Sequence, residues 1–178
     1  MEVSKYLSLF AIYIILLHNL ITFAQGNDQI NKVCEKTPNK DLCTQILTSD
    51  PLSEFATMPD LAMISLRVAA SNATGILTDV KIMIDDPDLD PEVQQGLADC
   101  KETLLDAEGQ LEDSIAAILS NTKNDIQLWL QAALAAIDTC DASIPGDDDI
   151  LSKRSVAFRE LCNIAVAISK NLGTDDQA

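Results

Sequence analysis

The sequence has few of the residues on which enzyme catalysis most often depends. Its 178 residues include one histidine and two tyrosines, and His18, Tyr6 and Tyr13 all lie near the N-terminus. A chain that loses this segment keeps no imidazole and no phenol. It then cannot form a Ser-His-Asp or Cys-His catalytic unit, or a zinc site that needs an imidazole ligand.

Glycine and aromatic residues are also scarce. The six glycines are dispersed and form no phosphate-binding loop of the G-x-G-x-x-G type. Paired carboxylates can hydrolyse glycosides, but sugar clefts are usually lined by aromatic rings, and only Phe55, Trp129 and Phe158 are aromatic beyond residue 24. The acidic segment 85–90 lacks the glycine and final glutamate of an EF-hand loop, so it is interpreted as a solvated turn. We therefore expect a protein that is not an enzyme and binds no cofactor or metal.

Basic residues are few as well. The chain has 12 lysines and arginines against 28 acidic residues, which gives a formal net charge of −16. Binding to nucleic acid requires a basic patch, and an anionic membrane surface repels a chain of this charge. These partners are therefore not expected, whereas a basic protein would be attracted over a distance.

The first 24 residues have the layout of a secretory signal peptide. Lys5 gives a positive start, residues 7–17 are apolar apart from one serine, and small residues follow at Ala24 and Gly26. The apolar run is shorter than the roughly 20 residues that cross a bilayer, although a retained anchor is the alternative interpretation. No ER-retention tetrapeptide ends the chain, so the sequence predicts cleavage after Ala24 or Gly26 and secretion.

Beyond residue 24 the apolar residues recur at steps of three and four, which is the period of amphipathic helices. The best-defined helix starts at Asp90, an N-cap residue followed by Pro91, and its apolar residues continue to Ile118. An earlier helix is predicted over about residues 60–84, after Pro59. No segment alternates with the period of two that marks β-strands.

Two further helices follow towards the C-terminus. Residues 126–140 repeat the helical spacing behind a cap candidate at Asn124. Residues 158–172 repeat it again before Gly173, which suits a C-terminal cap. Both segments are long enough to form helices of a bundle.

Together these helices predict an all-α protein. Four helices with short connections indicate an up-down-up-down four-helix bundle over residues 59–178. The preceding stretch is broken by Pro38 and Pro51 into two or three short helical pieces. Residues 25–58 are therefore expected to form a short helical hairpin that extends the bundle.

The five cysteines of a secreted chain predict two disulfides and one thiol. Cys34 and Cys43 flank a proline-containing turn, while Cys100 and Cys140 lie on the apolar faces of consecutive helices. These placements favour the pairs Cys34–Cys43 and Cys100–Cys140, the second closing a loop worth roughly 3–4 kcal/mol. Cys162 is left over among apolar neighbours, as a buried thiol or, alternatively, in an intermolecular disulfide.

Segment 34–43 holds two cysteines around Pro38 and is followed by Leu-Thr-Ser-Asp-Pro at 47–51. Cys100 and Cys140 lie on consecutive predicted helices, and segment 161–172 carries the fifth cysteine. In these features the chain resembles the plant inhibitor family that acts on invertases and pectin methylesterases. They correspond to the N-terminal disulfide hairpin of that family, to its second cysteine pair and to the last helix of pectin methylesterase inhibitors, which also carries an unpaired cysteine. The resemblance implies a four-helix bundle with an N-terminal hairpin, in one inhibitor domain after the signal peptide.

The resemblance also implies a target and a contact surface. Invertase inhibitors commonly carry a Pro-Lys-Phe motif, which is missing from the corresponding turn at 121–126, so pectin methylesterase is favoured. In that branch the bundle covers the pectin cleft of the enzyme, and the matching contact residues are Asp106 and Thr139. Gly109 stands where that branch has a second acidic residue, and the neighbouring Glu108 points about 100° away on a helix.

The expected partner is therefore pectin methylesterase, held in a 1:1 complex by a monomeric inhibitor in the apoplast. Acid invertase is the alternative partner, and a secreted helical binding module without an inhibited enzyme is a third interpretation. A lipid carrier is not indicated, because seed lipid-transfer proteins have more cysteines. The sequon Asn72-Ala73-Thr74 predicts N-glycosylation at Asn72, within the first bundle helix.

Two polar stripes are predicted on the middle helices. Such stripes are usually solvated faces. The resemblance gives a binding role only to Asp106 in the first stripe and to Thr139, which lies beside the second. The stripes consist of Asp99, Glu102, Asp106 and Asp113 on one helix, and of Gln127, Gln131, Asp138 and Asp141 on the next.

Overall fold

The computed structural model describes residues 2–146 and 151–172, and within them all regular structure is helical. The predicted all-α fold class is confirmed. One short 3₁₀ turn, Ser53–Phe55, accompanies the six α-helices. These helices are α1 (Glu2–Cys34), α2 (Lys40–Thr48), α3 (Met58–Ile84), α4 (Pro91–Leu119), α5 (Lys123–Ser143) and α6 (Ser152–Ser169).

The four long helices α3 to α6 form the bundle. Helix α3 packs against α4 and α6, and α5 packs against the same two helices, so the four close into a ring around one core. Phe158, Leu104, Ile76 and Ile137 are among the side chains buried at its centre. Burial of these apolar faces is the main favourable contribution to folding.

Helix α3 begins two residues before the predicted start. Thr57 is its N-cap, and Thr57 and Asp60 form a reciprocal capping box that satisfies two backbone N–H groups. Pro59 therefore lies inside the first turn, where its missing N–H costs no hydrogen bond. By length and hydropathy α3 is the one helix in the described ranges that could cross a membrane, but half of it is buried within the bundle.

Helix α4 starts where the sequence predicts, whereas α5 starts earlier than predicted. Asp90 caps α4 by accepting a hydrogen bond from the Glu92 N–H at 2.8 Å. The predicted cap at Asn124 is wrong, because α5 begins at Lys123 and that residue lies within its first turn. The turn between the helices is closed by Asn121, whose φ of 57° is left-handed, a conformation that asparagine tolerates better than most residues. Gly173, the predicted cap of the last helix, lies outside the described residues.

The N-terminal hairpin packs on the start of the bundle. The last turns of α1 bury Ile30 and Val33 and contact α2, which in turn contacts α3. Asn39 caps α2 by accepting a hydrogen bond from the Leu42 N–H at 3.1 Å. The first of the predicted short helices is instead the end of α1, which runs unbroken from Glu2, because no proline precedes Pro38.

The two predicted disulfides are present. Cys34 and Cys43 join α1 to α2 with their Cα atoms 5.5 Å apart. Cys100 and Cys140 join α4 to α5 with their Cα atoms 4.0 Å apart. Cys162 is a free thiol buried on α6, and burial raises its pKa from 9.0 to about 12.

Candidate functional site

The Cys100–Cys140 disulfide fixes which side of the α4–α5 pair each neighbouring residue occupies. Cys100 and Cys140 point at each other across antiparallel helices. Asp106 lies about 120° round α4 from Cys100, and Thr139 lies about 100° round α5 from Cys140. Because the helices run in opposite directions, both rotations lead to the same outer side. Both side chains are exposed there, with about 7–8 Å between them along the helix axes.

Two contacts on the opposite side of the α4–α5 pair support this assignment. Glu108 of α4 turns towards α3, where its carboxylate accepts a hydrogen bond from the Thr74 hydroxyl at 2.5 Å. Asp141 of α5 turns towards α6, where it pairs with Arg159 at 2.5 Å. Glu108 is therefore committed to α3 and does not lie on the outer side.

The outer α4–α5 face combines carboxylates from one helix with small and apolar side chains from the other. The carboxylates Asp99, Asp106 and Asp113 recur every seven residues, about 10.5 Å apart along α4, and all three are exposed. Helix α5 contributes an exposed Leu128, with 62% of its surface accessible. We define this face by Asp99, Asp106, Gln110 and Asp113 of α4 and by Leu128, Ala132, Ala135 and Thr139 of α5.

One buried polar atom of this face has no partner in the described part of the chain. The side-chain oxygen of Gln110, four residues after Asp106, is buried and accepts no hydrogen bond. Buried acceptors are almost always satisfied in folded proteins, so a donor from a binding partner would remove a real cost here. The Thr139 hydroxyl, in contrast, donates to the Ala135 carbonyl at 2.9 Å and keeps its acceptor lone pairs available.

The second predicted polar stripe is wrong as a solvated face, because three of its members serve the α5–α6 contact. Asp138 and Asp141 both bind Arg159, at 2.8 and 2.5 Å. Gln127 donates to the Val166 carbonyl at 3.2 Å. Burial lowers the pKa of Arg159, but its hydrogen bonds to Asp141 and Asp138 outweigh burial and raise the pKa above its ordinary value. Sequence reasoning missed Arg159, which lies on another helix and leaves no local signal.

The predicted glycosylation sequon lies in the middle of α3. The Asn72 side-chain oxygen is buried and has no hydrogen-bond partner among the described residues. The Thr74 hydroxyl donates to Glu108 and to the Ala70 carbonyl, at 2.5 and 3.1 Å. Glycosylation at Asn72 stays a prediction.

No metal-binding arrangement is found in the part of the chain that the structure describes. No three His, Cys, Asp or Glu side chains gather there in a way that could hold an ion. In the acidic turn before α4, the Asp86 carboxylate accepts from the Asp88 N–H at 3.0 Å, and Asp90 caps the helix. These carboxylates organise the turn, as in an ordinary Asx turn and N-cap.

A disulfide-stapled four-helix bundle with an N-terminal helical hairpin defines a class of small all-α proteins. A family model described as plant invertase/pectin methylesterase inhibitor matches residues 28–168. The chain therefore belongs to the plant invertase/pectin methylesterase inhibitor family.

The chain is similar in sequence to relatives named as pectinesterase inhibitors and to relatives named as invertase inhibitors. A pectinesterase inhibitor of Actinidia deliciosa is 28% identical over 149 residues, which cover 82% of this chain and 80% of the relative. A protein of Platanus acerifolia, provisionally named an invertase inhibitor, is 28% identical over 181 residues, covering 97% of this chain and 99% of the relative. A solved structure described as a mutant form of a pectin methylesterase inhibitor from Arabidopsis matches with a TM-score of 0.66 at 26% identity, covering 80% of this chain and 95% of that one.

Proposed function

We propose that the protein is a secreted inhibitor of pectin methylesterase, which acts by covering the substrate cleft of the enzyme. The observation that carries this proposal is the family match over residues 28–168, together with pectinesterase inhibitors among the relatives. The protein binds and performs no chemistry itself. Inhibition is stoichiometric, one inhibitor to one enzyme, and reversible.

The outer α4–α5 face is the contact surface in this proposal. Asp106 and Asp113 offer carboxylates to basic or hydroxyl groups of the enzyme, and the Gln110 oxygen receives the donor that it lacks in the free protein. Leu128 supplies exposed apolar area that becomes buried on binding. The Cys100–Cys140 disulfide holds the two helices in register, so little conformational freedom is lost on association.

The net charge of the chain favours binding to a basic enzyme. Glu2 and Lys5 cancel, so loss of residues 1–24 leaves the charge at −16. Attraction to a basic wall enzyme then raises the association rate by steering. This gain shrinks as added salt shortens the Debye length from about 10 Å at 0.1 M.

Acid invertase is the second candidate target, and the Platanus relative is the observation that favours it. Against it stands the turn between α4 and α5, which lacks the Pro-Lys-Phe motif of invertase inhibitors. That turn is instead organised around the left-handed Asn121. We therefore rank pectin methylesterase first.

Secretion follows from the N-terminal part of α1 in this proposal. Its side chains from residues 9 to 16 are exposed, including Phe10 at 65%. An exposed apolar surface of this length is unfavourable in water, and its removal as a signal peptide eliminates the cost. N-terminal sequencing of the secreted protein tests whether cleavage follows Ala24 or Gly26.

A paired titration tests the proposed function. The protein is purified from the medium of a secreting host and added to a fixed amount of pectin methylesterase, and separately to acid invertase. We expect esterase activity to fall linearly to an end point at one equivalent, and invertase activity to stay unchanged. Full esterase activity at micromolar inhibitor would reject the proposal, and loss of invertase activity alone would favour the second candidate.

A further inference from the structure

Two of the three arginines of this acidic chain line one cleft, which lies away from the outer α4–α5 face. The cleft has a volume of about 620 Å³ and is lined by residues of α2, α3, α6 and the segment after α2, with none from α4 or α5. Arg67 stands on α3 and Arg154 on α6. These are two of the twelve cationic residues of the chain.

Several polar groups of the cleft are not used within the described structure. The side chains of Arg67 and Ser71 make no hydrogen bond or ion pair to another described residue. The Asn72 side-chain oxygen is buried without a donor. Arg154 is already paired with Asp79, so the uncommitted positive charge of the cleft belongs to Arg67.

Among the described lining residues, the one acidic group has a local partner. The Asp50 carboxylate accepts a hydrogen bond from the Leu52 N–H at 2.8 Å, which organises the turn after α2. The rest of the lining includes an apolar floor, against which the C–H groups of a ligand can pack. That floor consists of Ile46, Ile64, Val68 and Leu161.

The cleft runs along α3. From Ile64 to Gly75 it follows eleven residues of that helix, a rise of about 16 Å. This length suits a ligand of one or two sugar rings. Its volume lies within the range of small-molecule sites, roughly 300–1,000 Å³.

We infer that this cleft binds a small hydroxylated carboxylate, of the uronic acid class. The Arg67 guanidinium donates two parallel hydrogen bonds to the carboxylate of the ligand. The Asn72 oxygen accepts from a ring hydroxyl and gains the partner that it lacks, while the Ser71 hydroxyl donates to a second ring oxygen. This inference does not depend on which enzyme the protein inhibits, and it is an alternative to the predicted glycan on Asn72, which would occupy the same cleft.

Binding of D-glucuronate to the secreted protein tests the inference, with amide NMR shifts as the readout. D-glucose keeps the ring without the carboxylate, and acetate keeps the carboxylate without the hydroxyls. We expect saturable glucuronate binding at least about tenfold tighter than that of either control, with shifts centred on residues 64–75. Arg67→Gln should weaken it about tenfold, whereas Lys81→Gln, an exposed site on the same helix, should leave it unchanged.

Three results would overturn the inference. The first is an absence of saturable glucuronate binding. The second is binding that Arg67→Gln does not weaken, or that acetate matches, because either result identifies a non-specific charge contact. The third is a glycan on Asn72 of the secreted protein, since the glycan would itself fill the cleft.

Discussion

The Ser143 hydroxyl at the end of α5 donates a hydrogen bond to the Gly96 carbonyl in the first turns of α4, at 2.9 Å. The helices approach so closely here that a Cβ at Gly96 would lie 2.3 Å from the Ser143 carbonyl oxygen and 2.9 Å from the Ile144 Cα. Both obstacles are backbone atoms, which cannot rotate away. Gly96 is therefore required for the end of α5 to dock on α4.

Gly96→Ala should destabilise the protein by about 1–3 kcal/mol, because the backbones must separate to admit the methyl group. Gly109→Ala on the same helix is the matched control, since a Cβ there meets no atom within 4 Å. It should raise stability by up to about 1 kcal/mol through helix propensity. Chemical denaturation measures the free energy of unfolding of both variants. Equal changes would show that the close approach at Gly96 does not affect stability.

Asp106→Asn and Thr139→Ala should each weaken inhibition of pectin methylesterase about five- to thirtyfold, a loss of roughly 1–2 kcal/mol. Both side chains are exposed and bear little on folding. Glu112→Gln is the control, because Glu112 is exposed on the α3 side of α4 and should not touch the enzyme. Undiminished inhibition by both variants would place the contact surface elsewhere on the bundle.

Gly109→Glu should tighten inhibition relative to Gly109→Ala. The new carboxylate would lie one turn beyond Asp106, where the family resemblance expects an acidic residue and where open space surrounds the Cβ. Comparison with the alanine variant removes the contribution of helix propensity, which both substitutions share. Inhibition constants for the two variants are measured side by side, and equal values would show that this position does not contact the enzyme.

Arg159→Ala should lower the free energy of unfolding by about 1–2 kcal/mol, because it leaves the half-buried Asp141 without its charged partner. Lys40→Ala is the comparison, because it breaks an ion pair with Glu35 in which both side chains are more than half exposed. It should lower the free energy of unfolding by less than about 0.5 kcal/mol. Urea unfolding of both variants tests the difference. If both variants lose a similar free energy of unfolding, the stability of the α5–α6 contact comes from apolar packing alone.

Cys162 should be unreactive in the folded protein. Burial raises the pKa of its thiol from 9.0 to about 12, so the nucleophilic thiolate is absent near neutral pH. DTNB should label no thiol in the native protein and one after denaturation with the disulfides intact. Rapid labelling of the native protein would instead favour an exposed thiol able to form an intermolecular disulfide.

The same shift links Cys162 to stability at alkaline pH. The pKa of the thiol is higher in the folded state than in the unfolded state. The stabilisation that the neutral thiol gives the folded protein is therefore complete below about pH 9 and is lost as the pH rises towards 12. The stability difference between the native chain and Cys162→Ala should therefore shrink over that range. A constant difference would show that the thiol titrates alike in the folded and unfolded states.

The sequence predicted the start of a helix correctly where the start depends only on neighbouring residues. Asp90 and Pro91 mark the start of α4 because capping depends only on the next few residues. The start of α5 was missed because it follows from the turn at Asn121, and asparagine tolerates a left-handed conformation without requiring it. The proline-containing turn located the Cys34–Cys43 pair and the helical periodicity located the Cys100–Cys140 pair, since each pair joins neighbouring helices.

The roles of several polar residues could not be predicted from the sequence. Asp138 and Asp141 are spaced like a solvated stripe, but Arg159, on the next helix of the chain, turns them into a bridge between α5 and α6. Likewise, nothing near Arg67 in the sequence indicates that Arg154 lines the same cleft. Such pairings depend on how helices rotate against one another, which a one-dimensional pattern does not record.

The sequence by itself determined the class of this protein: an acidic, disulfide-stapled helical bundle, without histidine beyond His18. Composition and period are sufficient for that conclusion, because they decide which faces are buried and which chemistry is available. Only the tertiary structure decided that Asp106 and Thr139 share the outer face while Glu108 and Asp141 turn inwards. The physical reason is that the Cys100–Cys140 bond and the packed core fix the rotation of each helix about its axis.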